Sequence, residues 1–445
     1  MRIWRNIITS LALVGCLLVA GQDTLSLDRA VQLALANEHG IRIARNEAAI
    51  AEAQATAGNA GLLPRLEASG RGAYSDLDTR LDFSEGIPDV ERNGVVNTGL
   101  SGQVGLGYTV FNGMGNFAAL ERARVNAMLA DLRLRAQVEG TLVQVVALYY
   151  GFAALEEDVA ITQRLLDISG ERYRRQEGRA QLGGAGRLDL LNAMVDLQAD
   201  SGAHLLAQQA LERTARDLNV LMGREPDARV KVAPVITYAQ GLSRDQLVEE
   251  ALRGNVQLVA ATAQVRAAEV DQRIARSLRW PRVDLSAAYG VSDQRNGVGL
   301  VLGTYTQGLN AGLSMSIPIF DGGRASTQAD QARLRAESAV LAEQQARLQV
   351  ERDVRNAYTT WSSQRELLRM QEDATRTARM NFERTNELFR SGQLTGLQFR
   401  QAQLDLANAE RMAVVAGFDA KVAELTLLRS SGGLFRALGI GDVRP

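Results

Sequence analysis

The chain has 445 residues, only 5% of them aromatic, with 50 basic against 51 acidic side chains. That balance leaves no global field to draw in nucleic acid or an anionic surface. Few aromatics and only 7 prolines argue against a compact enzyme core and for long helices packed through small residues. The length allows two or three ordinary domains or one very elongated one.

The first segment joins a basic start (Arg2, Arg5) to an apolar run from Ile7 to Ala20, followed by polar residues from Gln22. It reads as a secretory signal peptide over residues 1–21, with Val19-Ala20-Gly21 as the small-residue cleavage site. The single cysteine, Cys16, lies in Leu13-Val14-Gly15-Cys16, a lipobox-like run, so lipidation there stands as the alternative to plain cleavage. No later stretch approaches ~20 consecutive apolar residues, so any membrane crossing is expected to use strands.

The chain is written twice. Leu25-Ser26 and Asp28 recur as Leu242-Ser243 and Asp245, and Pro64-Arg65 recurs as Pro281-Arg282. Phe111-Asn112-Gly113 recurs as Phe320-Asp321-Gly322, Gly183 as Gly392, and Ala193 as Ala402. A first repeat over 22–222 and a second over 242–430 are joined by a linker, 223–241, and followed by a tail, 431–445.

Each copy reads helix, strand pair, long helix, turn, helix. The first helix, Ser26 to Leu62, and its counterpart, Ser243 to Arg279, stop before Pro64 and Pro281. The period then falls to two: Leu66, Ala68 and Tyr74, then Leu100, Val104, Leu106 and Tyr108, alternate with polar residues, as do Val283, Leu285, Ala287, Tyr289 and Val291. Such alternation suits a half-buried soluble sheet or a membrane-barrel strand with one face toward lipid. The signal peptide and the aromatics expected at strand ends, Tyr74, Tyr108, Phe111, Tyr289 and Phe320, favour the barrel. Four strands cannot close one, so the chain must oligomerise, and a lumen favours three copies over two.

Long helices follow, Gly115 to Glu177 and Ala325 to Arg390, each on the order of 100 Å. Val138, Leu142, Val145, Tyr149 and Phe152 keep heptad spacing in the first. Glycine-bearing turns at Gly183-Gly184-Ala185-Gly186 and Gly392 to Gly396 lead into returning helices, Arg187 to Met222 and Leu397 to Leu428.

This ordered, duplicated set of Leu-Ser-x-Asp starts, helix-ending prolines, Phe-Asn/Asp-Gly turns and the Phe389-x-x-Gly392 and Leu188-Asp189-Leu190-Leu191-x-Ala193 runs resembles the TolC-type outer-membrane efflux protein family. The resemblance implies a mixed α/β membrane protein, a homotrimer with a 12-stranded β-barrel (four strands per chain) continued by a periplasmic helical coiled-coil barrel. It implies a Gram-negative outer membrane, and as partners outer-membrane lipid, a periplasmic adaptor (membrane fusion) protein and an inner-membrane pump of the RND, ABC or MFS type. The function implied is passive efflux of small molecules. Type I protein secretion is the alternative, and a periplasmic adaptor or scaffold the more distant one.

By the same resemblance, Gly183, Gly186, Arg187, Asp189, Gly392, Thr395, Gln398 and Gln401 form the periplasmic tip and gate, with Arg187 near enough to pair with Asp189. Some members carry an acidic pair where this chain has Gln398 and Gln401, which argues against strong cation selectivity. Asp189 is equally readable as a first-turn carboxylate interacting with the helix dipole.

No catalytic constellation, cofactor motif or metal-ligand spacing is found. His39 and His204 stand alone and read as helix-surface residues. The expectation is a channel without cofactor, metal, nucleic-acid partner or enzymatic activity.

Overall fold

A computed structural model describes residues 24–82, 90–182, 187–232, 236–297 and 301–440. The signal-peptide segment, Cys16, Gly183 and Gly186 lie outside those residues. The elements run α1 (Leu27–Asn37), α2 (His39–Gln54), β1 (Arg65–Leu81), β2 (Val90–Phe111), α3 (Gly115–Gln181), α4 (Arg187–Leu221), α5 (Arg244–Gly254), α6 (Val256–Ser277), β3 (Arg282–Arg295), β4 (Gly303–Ser316), α7 (Arg324–Arg390), α8 (Gly396–Ser430) and α9 (Leu434–Ala437). Two helices, two strands, a helix of 67 residues and one of 35 thus occur twice in the same order.

Where the sequence predicts one opening helix per repeat, the structure has two. The breaks fall at Glu38 and Asn255, whose backbones are extended at ψ 127° and 124°. Asn255 explains its own break, because its carboxamide oxygen accepts the Gln257 and Leu258 amides and so starts a new helix.

The chain divides into two compact units. One comprises His39–Gly140, Ala239–Ser362 and Ala423–Pro445, the other Met1–Glu38, Thr141–Tyr238 and Ser363–Val422. In the first, Leu247, Ala251, Leu258, Val350, Val354 and Leu427 form one buried cluster and Val125, Leu129, Ala263 and Ala267 another. Glu121 on α3 accepts from Arg266 and Arg273 of α6, and the Arg273 hydrogen bond foremost holds its carboxyl below the ordinary glutamate value.

This unit carries a four-stranded antiparallel sheet in the order β1-β2-β3-β4. Register settles its faces. Leu66 pairs with Leu106, Val104 with Tyr289, and Leu285 with Leu313, so the apolar residues share one face. The pairs Ser69–Gln103, Gly107–Ser286 and Ala288–Asn310 place small and polar residues on the other. The apolar face is uncovered in this chain, with Leu66, Leu100, Leu309 and Leu313 all 68–70% exposed.

In the second unit, Leu25 pairs with Val232 of the linker in an isolated parallel bridge, and Tyr149 donates to the Leu25 carbonyl at 2.9 Å. Asn219, wholly buried, donates to the carbonyls of Pro226 and Ala228 at 3.0 and 2.7 Å, which fixes the start of the linker. Asn219→Ala is expected to cost about 1–3 kcal/mol by orphaning both carbonyls, read as faster proteolytic cleavage within 223–241.

The five heptad residues Val138, Leu142, Val145, Tyr149 and Phe152 are all buried. Although the chain has no run of ~20 consecutive apolar residues, α3 contains a window long and apolar enough on average to cross a membrane. More than half of that window is buried inside the chain. Helix packing accounts for its apolarity.

Candidate functional site

The unit that holds the ends of α3 and α7 also holds the starts of α4 and α8, so the second glycine turn and the described residues flanking the first lie within it. Helix α7 stops because Gly392 takes a left-handed φ of 77°. The Gln393 amide donates to the Leu388 carbonyl and the Gly392 amide to Phe389, which satisfies the last carbonyls of the helix. Three residues later Thr395 opens α8 with a capping box. Its hydroxyl oxygen accepts the Gln398 amide at 3.4 Å, and Oε1 of Gln398 accepts the Thr395 amide at 3.1 Å. Gln398 is therefore engaged in starting the helix, and Gln401 donates to Asp405 at 2.8 Å.

Behind the turn, Phe389 stacks on Phe399 at 4.5 Å between ring centroids. Ala193 and Ala402, the matched small residues of the two repeats, are buried. Next to Phe399 lies a feature that sequence reasoning missed. Arg400 grips Asp200 with two parallel hydrogen bonds of 2.7 Å, its Nε lies 3.6 Å from Asp196, and Asp196 binds Arg172 at 2.8 Å. The Arg400 and Asp200 side chains are only 10% and 6% exposed. Burial alone would pull the pKa of this guanidinium down, but the Asp200 hydrogen bonds and the two carboxylate charges outweigh it and the pKa ends raised. This quartet ties α3, α4 and α8 together. A signal was present in the sequence: Ala193, Asp200 and Ala207 are spaced one heptad apart and all buried, so a charge occupies a core register position.

Asp189 and Arg187 are both exposed and form no ion pair among the described residues. The expected pairing fails because helical residues two apart do not face each other. Asp189 stands in the first turn of α4, where the dipole favours a carboxylate. It lines a cleft of about 1040 Å³ together with Gly392 and Thr395, whereas Arg187, Gln398 and Gln401 do not. Five arginines line the same cleft: Arg172, Arg175, Arg179, Arg390 and Arg400.

At the sheet, Phe111 pairs with Val283 at one end beside Tyr108, whereas Tyr74, expected at a strand end, pairs with Thr98 in mid-strand, because β1 and β2 run on to the Leu81–Val90 pair. Phe320 lies past β4 and is exposed. Tyr289 is not at a strand end but in mid-ladder, between Val104 and Leu309. Its hydroxyl accepts from Gln307. Period-two alternation assigns a face without fixing the ladder's ends, so it leaves the height of a residue along the strand open.

The strand-to-helix turns are capped by the motif side chains. Asn112 accepts the Asn116 amide, and Asp321 accepts the amides of Gly323 and Ala325 at 3.0 and 2.8 Å. These backbone bonds, the one from Ala325 foremost, hold the Asp321 carboxyl below its ordinary 3.8. A depressed pKa means the cap is at full strength above that value and weakens as pH falls through the lowered one. Asp321→Asn, which copies Asn112, is expected to keep the turn and abolish this acid sensitivity, as followed by amide exchange at the start of α7 below and above pH 4.

Among the described residues no group of His, Cys, Asp and Glu could hold a metal ion. His204 is half-buried, with Nδ1 3.2 Å from the Thr162 hydroxyl, and His39 opens α2.

A sheet with one exposed apolar face, and in each repeat a long helix with a shorter one after it, fit a membrane-inserted conduit subunit. The chain belongs to the outer membrane efflux protein family, whose family model matches residues 30–224 and 247–433. It is 27% identical over 423 residues to the pyoverdine export outer membrane protein OpmQ of Pseudomonas aeruginosa, covering 93% of this chain and 85% of that one. It is 26% identical to the alkaline protease secretion protein AprF of the same organism, covering 85% and 77%. The fold is similar to that of the Campylobacter jejuni CmeC outer membrane channel, with a TM-score of 0.79 at 15% identity over 92% of this chain and 86% of that one. The protein is an outer-membrane channel subunit of a tripartite export system, reaching into the periplasm.

Proposed function

We propose that three copies close a twelve-stranded barrel through their β1 and β4 edges and form a passive duct for small molecules, with a periplasmic adaptor at the tip and an inner-membrane pump beyond. The carrying observation is the sheet: one face exposes leucines to what is then lipid, the other offers serines, glycines and asparagine to a lumen, and both outer edges are open. An open edge is not tolerated in hydrocarbon, so the edges must pair with other copies. Three copies leave a lumen where two would fill it with side chains.

The cleft containing Asp189, Gly392 and Thr395 is the part that meets the adaptor and opens. The positions that could carry a charged ring, Gln398 and Gln401, are uncharged amides outside the cleft lining and engaged at the start of α8. Protein secretion is the second reading, favoured by the resemblance to AprF, nearly as strong as that to OpmQ. Mass measurement in detergent with conductance in planar bilayers tests the duct: steady pores from a species of three chain masses support it, and a non-conducting monomer overturns it. Restoration of either small-molecule resistance or protease secretion in a strain lacking its own channel separates the two cargoes.

A further inference from the structure

The tip cleft carries a charge imbalance that the duct alone does not require. Of its five arginines, Arg172 and Arg400 are neutralised by Asp196 and Asp200. Arg175, Arg179 and Arg390 have no carboxylate within ion-pair distance among the described residues, and all three are exposed. Arg175 and Arg179 stand one turn apart on the same face of α3, and Arg390 ends α7, facing the same space. The remaining carboxylate of the lining, Asp189, offsets one of these charges. Guanidinium groups stay charged at any working pH and present planar forks that match carboxylate oxygens two at a time. Leaving several of them unpaired in one concave space costs self-repulsion that a bound anion would relieve.

Resting on the reading of this cleft as the periplasmic mouth of the duct, we propose that Arg175, Arg179 and Arg390 form an anion-binding site that takes organic polycarboxylates from the exported stream. The concave lining, of about 1040 Å³, is at the upper end of the range of small-molecule sites. The mouth then concentrates anions, the opposite of what an acidic ring would do.

The test uses the purified full-length oligomer in planar bilayers under a potassium chloride gradient, with citrate as the probe. The wild type is expected to show a reversal potential of the anion-permeable sign and a conductance reduced by citrate. R175Q/R179Q/R390Q is expected to raise the half-blocking citrate concentration about tenfold or more and to shift the reversal potential toward cations, with the oligomer mass unchanged. If wild type and variant conduct alike and respond alike to citrate, the anion site is overturned and the duct stands. If neither conducts, the duct reading fails, and calorimetry of citrate on the same samples decides the site: saturating heat lost in the variant supports it, and no heat with wild type overturns it. A variant that keeps citrate block but loses capture of an adaptor would assign the arginines to an acidic protein partner and likewise overturn the proposal.

Discussion

Arg400→Leu is expected to destabilise the unit holding the helical hairpin turns by about 3–5 kcal/mol, because it leaves Asp200 buried without its counter-charge. The geometry supports the upper part of that range. Both terminal guanidinium nitrogens reach Asp200 at 2.7 Å, the Asp200 side chain is 6% exposed, and neighbouring Asp196 keeps only Arg172 once Arg400 is gone. Arg400→Lys keeps the charge but loses the fork, so it is expected to fall between wild type and leucine. The double variant D200L/R400L removes both charges and leaves apolar side chains beside Phe399, and replacing a buried pair in this way is often neutral. Recovery of most of the lost stability is therefore expected. Amide exchange over residues 187–200 and 390–400 in detergent reads all three. A leucine variant with wild-type protection would show that the quartet holds nothing together.

The sequence made legible those features that repeat with a short period. Apolar alternation assigned the faces of β1, β2 and β3, and heptad spacing assigned the buried stripe of α3. Gly392 marked an end, since it terminates α7 by its positive φ, and Pro281 follows shortly after α6, whereas α2 stops at Gln54 and not at Leu62 before Pro64. Less legible was anything set by contact between residues far apart in the chain. Asn255 reads as a mid-helix polar residue until its side chain is seen capping α6 while donating to the Ser430 carbonyl at 2.8 Å. The heptad of Ala193, Asp200 and Ala207 hints that Asp200 is buried, but nothing local to either residue names Arg400 as its partner. At the tip, residue type misled: Gln398 reads as a pore amide, but the Thr395-to-Gln398 spacing of a capping box already assigned its oxygen to the backbone. The apolar run in α3 shows the converse, a membrane-like composition whose meaning depends on which neighbours cover it.

The twin Phe-Asn/Asp-Gly turns offer the sharpest contrast between local sequence and surroundings. Gly113 and Gly322 both adopt left-handed backbones, at φ 64° and 67°, so alanine at either costs roughly 1–2 kcal/mol in strain. Their environments differ. A Cβ on Gly113 would lie 2.7 Å from Cβ of Trp280 and 2.8 Å from the Ser277 carbonyl oxygen, whereas one on Gly322 would meet nothing within 4 Å. Neither the Trp280 Cβ nor the Ser277 carbonyl can swing aside, so Gly113→Ala is expected to cost a further 1–3 kcal/mol or so, seen as a lowered unfolding midpoint by tryptophan emission. Gly322→Ala is expected to cost the isolated protomer only the backbone strain, without the further steric loss. The asymmetry has a structural source: β2 pairs with β3 within the chain, which brings Trp280 of the second repeat to Gly113 of the first, while β4 is an open edge. If copies join β4 to β1, the repeat symmetry carries the neighbouring copy's Leu63, the counterpart of Trp280 before proline, to Gly322. Gly322→Ala then acts on assembly, lowering the trimeric fraction in detergent without changing the protomer's emission. Equal loss of protomer stability in both variants would sink this account, and a Gly322→Ala protein that assembles fully would argue against edge-to-edge closure.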